Sequence, residues 1–299
     1  MVVQDPGGSG MNGGARMTAD AVLEAVRAGG GPSLRLLGRC TGGEVGAHVA
    51  ETRRGDQVVF KWIEEPSFLP EITRVVERVG RLRRKGFPIP QYWAPLVFDG
   101  GVVLCQEMVR GSWSDEFDNT LVDRVLALND LQGGEGDARA SWTGYMAGTL
   151  TTGADGYCLH EPLRTYSDAT RALLSWIEQV GADLPALPAH DLVHLDFHHR
   201  NMLQTGGELS AVIDWEGCRP GDRAFDLVTF CFGFTHALAP AGLDLVVWQQ
   251  ALRLAHLDRL ATYVAHVALR RLDWTIRHHT HADVERVLEL AHRYRSYLG

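Results

Sequence analysis

Val193-His194-Leu195-Asp196-Phe197-His198-His199-Arg200-Asn201-Met202-Leu203 runs into Gln204-Thr205-Gly206-Gly207-Glu208-Leu209-Ser210 and then Ala211-Val212-Ile213-Asp214-Trp215-Glu216. Met202-Leu203 and Leu209 to Ile213 are apolar runs, and Thr205-Gly206-Gly207 between them has the composition of a tight turn that needs positive φ. The stretch therefore reads as loop, strand, turn, strand. His194, Asp196 and Asn201 stand in the loop before the first strand, and Asp214 stands at the end of the second. A hairpin returns on itself, so this reading carries Asp214 back toward Asp196 and Asn201. Two carboxylates and a carboxamide supply hard oxygen donors of the kind Mg²⁺ takes.

The same residues admit two other readings. Imidazole and carboxylate suit Zn²⁺, which makes His194, Asp196, His198 and His199 candidates for a metallohydrolase centre. Alternatively the histidines are ordinary loop residues. Neither reading gives Asn201 or the hairpin a purpose.

The pattern resembles the catalytic centre of the aminoglycoside phosphotransferase and choline kinase-like family of the protein-kinase-like fold. That family has His-x-Asp-x-x-x-x-Asn, a short hairpin, then Ile-Asp-Trp/Phe-Glu; here these are His194-Leu195-Asp196, Asn201 and Ile213-Asp214-Trp215-Glu216. Leu195 stands where the family usually has Gly. The resemblance implies ATP as phosphoryl donor, with GTP the alternative, and Mg²⁺ as the metal. It assigns Asp196 to the acceptor hydroxyl, as base or orienting group, and Asn201 and Asp214 to the metal. In Gly221-Asp222-Arg223-Ala224-Phe225-Asp226-Leu227 it makes Asp226 the residue that braces the catalytic loop, with His194 as further support.

With 299 residues the chain is long enough for a full core and two lobes. The resemblance implies an α+β, kinase-like, bilobal fold. Residues 17–108 form a small five-stranded antiparallel lobe with one helix, and residues 109–299 a larger, mainly helical catalytic and substrate-binding lobe. Residues 1–16 are Gly-rich without an apolar core segment and read as a disordered leader rather than a signal peptide. Five scattered cysteines without a Cys-x-x-Cys pair fit reduced thiols in a cytoplasmic protein.

Charge is unevenly spread. Residues 1–110 carry 14 basic and 12 acidic side chains, residues 111–299 carry 15 and 25, so the second part has a net charge of −10. An acidic second part argues against a nucleic-acid partner, and the lack of a long apolar run argues against a membrane one. It suits a small cationic acceptor, with Glu216 and Asp222 as candidate substrate-binding carboxylates and Asp273 and Glu289 further along.

Upstream, Ser33 to Gly38 and His48 to Thr52 read as strands around Gly42-Gly43-x-x-Gly46, a turn able to set backbone N–H groups against phosphates. Gln57 to Ile63 is a third strand carrying Lys61. The chain has 27 arginines and only two lysines, Lys61 and Lys85, so a lysine inside an apolar strand marks a place where a compact single-point cation is wanted. Pro70 to Lys85 has helical periodicity. The resemblance asks this helix for a Glu to hold the strand lysine; helical phase favours Glu71, with Glu77 the alternative. Gln91 to Phe98 and Val102 to Glu107 form a hairpin ending at Met108-Val109-Arg110-Gly111. There the resemblance assigns the Glu107 carbonyl and the Val109 N–H to the adenine edge.

Leu121 to Gln132, Ser167 to Val180, Leu227 to Phe234, Leu243 to Leu257, Leu260 to Arg277 and Ala282 to Leu298 read as helices, while residues 133–170 read as loop-rich. No P-loop or Rossmann glycine pattern occurs. Within the family, the acceptor expected first is a cationic antibiotic, an aminoglycoside or a basic cyclic peptide of the tuberactinomycin type, with drug resistance as the outcome. Arg in place of nearly all Lys, with abundant Ala, Gly and Leu, is the composition of a high-GC bacterium. The alternatives are a metabolic kinase for choline, homoserine, a sugar or a fructosamine, and a kinase-like binding module without catalysis. The full set Lys61, Asp196, Asn201 and Asp214 speaks against the last.

Overall fold

The computed structural model describes residues 17–40, 46–234 and 239–299. Gly42, Gly43 and the 1–16 leader lie outside the described residues. The chain divides into two compact units: the described residues up to Ser112 with Met202–Gly217, and those of Trp113–Asn201 with Cys218–Gly299.

The first unit opens on a helix that the sequence reading did not single out, α1 (Ala19–Ala28), whose N-terminus is capped by the Thr18 hydroxyl accepting from the Ala21 N–H. Strands β1 (Leu34–Arg39), β2 (His48–Thr52) and β3 (Gln57–Ile63) follow, then helix α2 (Leu69–Arg84), then β4 (Leu96–Phe98) and β5 (Gly101–Glu107). The five strands form one antiparallel sheet in the order β1-β2-β3-β5-β4. Side chains alternate across a strand, so β5 serves both faces of the sheet. Val103 and Cys105 pack with Val58, Phe60 and the apolar face of α1, whereas Val102 and Leu104 pack with Ile72 of α2 and with Ile63. Lys61 lies opposite Leu104 and shares the α2 face of β3 with Val59 and Ile63.

In the second unit come helices α3 (Asn119–Leu131), α4 (Trp142–Thr152), α5 (His160–Tyr166) and α6 (Asp168–Ala182), then strand β6 (Asp191–Val193). Residues 142–152 and 160–166 are therefore helical where a loop was expected. Their apolar residues are few and interrupted by Gly144, Gly148 and five threonines, so no clear period of 3.6 is visible in the sequence.

The expected hairpin is present as β7 (Met202–Thr205) and β8 (Glu208–Val212), with Gly206 and Gly207 at φ 61° and 84°. It clusters with the first unit, although the sequence boundary assigned everything after residue 109 to the second. The reason is a set of backbone bonds: Val212 N–H donates to the Pro88 carbonyl, and Ser112 and Gln204 exchange a bridging pair. Gly111, at φ 153°, sits against this hairpin. A Cβ there would come within 3.0 Å of the Gln204 carbonyl, Leu203 and Ser210.

Strand β9 (Arg219–Gly221) pairs with β6, and helices α7 (Ala224–Gly233), α8 (Leu243–Leu254), α9 (Leu257–His278) and α10 (His281–Ser296) complete the second unit. α7 is buried throughout, and α9 is buried over most of its turns. Among the described residues no helix is long and apolar enough to cross a membrane.

Candidate active site

Each unit gathers one carboxylate centre. In the first, the Lys61 side chain is 18% exposed; its ammonium pairs with Asp214 Oδ1 and lies 3.3 Å from Glu216 Oε1. Asp214 ends the hairpin at φ 70°, a left-handed conformation uncommon outside glycine and one of only three such non-glycine residues among those described. Beyond it the chain turns once, fastened by the Trp215 indole N–H donating to the Val212 carbonyl and by edge-on packing of Trp215 against Phe87. That turn folds Glu216 back onto Lys61.

Glu216 is therefore not the solvent-facing substrate ligand the sequence suggested: its side chain is 7% exposed and its partner is the strand lysine. Burial and the neighbouring Asp214 charge push its carboxyl up to about 7, against the pull of Lys61. Burial alone would depress the Lys61 ammonium, but the Asp214 and Glu216 carboxylates outweigh it and raise its pKa.

The expected Lys61–Glu71 pair does not form either. Glu71 accepts from Arg74 at 2.6 Å and lies 3.8 Å from Arg78, while Glu77 is exposed. An arginine three residues along the same helix is within reach without any tertiary contact, so local pairing wins. At the end of β5, Glu107 N–H donates to the Gln91 carbonyl, Glu107 Oε1 accepts from Gln91 N–H, and Met108 N–H donates to the Gln57 carbonyl. The main chain is thus pinned just before Val109.

The second unit's centre is built on Leu195, Asp196 and Asn201. Asp226, fully buried in the first turn of α7, accepts from His194 N–H (2.7 Å), Leu195 N–H (3.1 Å) and the Gln132 amide (2.6 Å). Desolvation pushes its carboxyl up to about 7 despite those three bonds. α7 begins after Arg223, so Asp226 spans to the loop and does not act as an N-cap. Leu195 is left-handed at φ 74°.

Asp196 itself is 31% exposed at its side chain. Oδ1 accepts from Arg270 at 2.6 Å, Oδ2 lies 3.3 Å from His198 Nε2, and its carbonyl accepts from the Asn201 amide at 2.9 Å. Burial would raise this carboxyl, but His198 and Arg270 hold it well below the usual carboxylate range.

The other loop histidines have structural work. His194 is fully buried, its Nδ1 accepting from Asp196 N–H, and His199 bonds Asp115 and packs edge-on against Phe117. Among the described residues no three His, Cys, Asp or Glu side chains gather as a metal site, so the zinc arrangement does not form. Asp222, the second candidate for substrate binding, is buried as well; it accepts from Arg259 and Tyr263 at 2.8 Å each and from the Ala224 N–H at 3.0 Å. Asp273 is taken by Arg277. Glu216 and Asp222 share one cause, a buried carboxylate that recruits its cation from another element, whereas Asp273 finds its arginine one turn along its own helix; charge counting along the sequence sees neither pairing.

The donors expected to hold a metal have the right chemistry for Mg²⁺. Asn201 commits its N–H₂ to the Asp196 carbonyl, which turns the amide so that Oδ1 is the acceptor, and Asp214 is a carboxylate with 37% of its side chain exposed. Arg270 and Gln132 were not singled out from the sequence, and His198 was named there only as a candidate zinc ligand. Of the first two, only Gln132 lay close to anything recognised in the sequence.

The sequence profile described as the phosphotransferase enzyme family matches residues 20–263. No curated protein sequence matches significantly. Among solved structures, aminoglycoside phosphotransferase APH(4)-Ia superposes with a TM-score of 0.63 at 18% identity, over 94% of this chain and 100% of that one. Macrolide 2'-phosphotransferase MphH from Brachybacterium faecium gives 0.54 at 18% identity over 91% and 98%. The amicoumacin kinase hAmiN, bound to AMP-PNP, Ca²⁺ and Ami, gives 0.59 at 13% over 88% of each chain. These likenesses establish the kinase-like fold, and the profile, spanning most of the chain, establishes the family: this protein belongs to the phosphotransferase enzyme family.

Proposed function

We propose that the protein transfers the γ-phosphoryl group of ATP to a hydroxyl of a small-molecule acceptor. The observation that carries this is the Lys61–Asp214 pair: one of only two lysines in the chain, set in a sheet strand, meets the hairpin aspartate. Asp196, in the loop that leads into the same hairpin, faces the acceptor. Lys61 offers a point charge to the nucleotide phosphates, and backbone groups at Glu107 and Val109 meet the base. Asn201 and Asp214 would hold Mg²⁺, which neutralises phosphate charge when bound.

In the transfer, the acceptor oxygen bonds to the γ-phosphorus as the bond to the β,γ-bridging oxygen breaks; ADP leaves and the hydroxyl proton departs by way of Asp196. An aspartate held this far into its ionised form is a weak base. Its contribution is then chiefly to orient the hydroxyl, which suits a loose transition state that needs little early proton transfer.

For the acceptor we favour a cationic antibiotic, an aminoglycoside or a basic cyclic peptide, with resistance as the physiological result. Support comes from the net charge of −10 over residues 111–299 and from the antibiotics in the names of the similar structures, one of them APH(4)-Ia with ADP and hygromycin B. Glu216, Asp222 and Asp273 do not add to it, since each already lies against a cation of the chain. That neutralisation is the observation favouring the second reading, a metabolic kinase for choline, homoserine, a sugar or a fructosamine, and among these it favours the uncharged sugar. Five free cysteines, four of them buried, fit a cytoplasmic enzyme. A screen of ADP release across aminoglycosides, basic cyclic peptides, choline, homoserine and sugars tests the proposal. We expect turnover on a basic antibiotic that weakens as salt rises; salt-insensitive turnover on a sugar alone would select the second reading.

A further inference from the structure

Leu195 is the most constrained residue of the second unit's centre. A left-handed conformation is strained for a leucine, so the peptide groups on both sides of it need to be held. Asp226 takes the N–H from the α7 side. The carbonyl is taken from α9: Arg270 Nη1 donates to Leu195 O at 2.6 Å, while Nη2 of the same guanidinium donates to Asp196 Oδ1 at 2.6 Å. The Arg270 side chain is only 9% exposed. Its helix is fixed on either side, by Arg259 and Tyr263 on Asp222 and by His266 against the Tyr145 hydroxyl.

A planar fork with two parallel donors thus ties one residue's main chain to the next residue's side chain, a task a lysine cannot perform. It also separates the two carboxylate oxygens. Oδ1 is occupied by a short charged bond, whereas Oδ2 has only the longer approaches of His198 at 3.3 Å and Asn201 at 3.4 Å.

We propose that Arg270 is a positioning residue for the transfer: it locks the left-handed turn at Leu195, occupies Asp196 Oδ1, and so reserves Oδ2 for the acceptor hydroxyl. This rests on the acceptor-directing role proposed for Asp196. It assigns work in the reaction to a residue on a helix 74 positions away in the chain.

The test is a double-mutant cycle in the full-length protein, Arg270→Met and Asp196→Asn singly and together, with MgATP as donor and water as acceptor, reading ADP release per active site. Arg270→Met is expected to lower kcat by about 30- to 100-fold, the scale of a misplaced reacting group, with KM for ATP within about twofold. In the Asp196→Asn background the same change should alter kcat by less than about twofold, because Arg270 acts through Asp196. Losses that multiply would overturn the proposal, as would a lower melting temperature with unchanged kcat per active site.

Arg270→Lys keeps the charge and loses the fork, and guards against a methionine variant that does not fold; wild-type turnover in it also overturns the proposal. Crystal structures of these variants read the point without turnover: the Asp196 carboxylate should rotate away from its present position, and a carboxylate left unmoved contradicts us. The two readings fail separately. If Asp196→Asn turns over like the wild type, the role of Asp196 falls; if that variant is impaired and Arg270→Met is not, only Arg270 falls.

Discussion

Asp214 and Asp196 are each paired with a largely buried cation, but the cations differ in kind. Asp214 meets Lys61, a compact ammonium on a flexible stem that it shares with Glu216. Asp196 meets Arg270, a rigid fork whose other arm is committed to the main chain. An ammonium can exchange one oxygen for another at little geometric cost, whereas a fork fixes direction as well as charge. On the proposed function, the first centre would hand its cation to arriving phosphates, and the second would stay as it is. In a chain with 27 arginines and two lysines, that division of labour explains why residue 61 is a lysine.

The comparison can be broken most sharply at Asp196. Asp196→Asn should cut kcat by about 10²- to 10⁴-fold while leaving the dissociation constant for ATP, read by calorimetry, within about twofold. A comparable loss of nucleotide affinity would erase the distinction between the centres. Lys61→Ala should do the reverse in emphasis, raising KM for ATP by about tenfold with a smaller fall in kcat, since a partly buried charge contact to phosphate is worth about 1.5–3 kcal/mol. A kcat effect without a KM effect would place Lys61 with the acceptor.

Both centres should also make stability depend on pH, through Glu216 in the first and Asp226 in the second. Asp226, which braces the second, titrates at about 7 in the fold against an ordinary 3.8. Between those values the folded protein binds a proton that the unfolded chain does not. This group's contribution is thus fully present below about pH 4 and is lost as pH rises through 7, at up to about 1.4 kcal/mol per pH unit. Asp226→Asn should remove that slope; urea unfolding of both proteins at pH 5, 6 and 7 measures it, and parallel curves would mean that Asp226 stays ionised throughout.

The smallest effect belongs to Glu71→Gln. Because Glu71 pairs with Arg74 and Arg78 on its own helix, KM for ATP should stay within about twofold and stability within about 0.5 kcal/mol. A tenfold rise in KM would show that Lys61 changes partner during the cycle.

What could be read from the sequence was local. Thr205-Gly206-Gly207 announced its positive φ, and short apolar runs announced β3 and β5. The spacing from His194 to Asp214 announced the hairpin and its polar ends. Helix α1 was equally readable from Thr18 and the period of Val22, Leu23 and Val26, and was passed over. What stayed hidden was pairing over distance. Nothing near Arg270 distinguishes it from Arg271 or Arg277, and its partners lie 74 and 75 residues upstream. Glu216 and Asp222 looked like free carboxylates because their cations, Lys61 and Arg259, belong to other elements. Glu71 misled for the opposite reason. Helical phase could not weigh an arginine one turn away against a lysine on the sheet.

The central claim is that a γ-phosphoryl group moves from ATP to an acceptor hydroxyl. Phosphorus-31 NMR of the purified protein with ATP, Mg²⁺ and each compound in the acceptor screen follows that event directly. We predict loss of the γ-phosphate signal, appearance of ADP and growth of a phosphomonoester resonance on a basic antibiotic, all abolished in Asp196→Asn. ATP left intact with every acceptor, or converted only to ADP and inorganic phosphate, would contradict it.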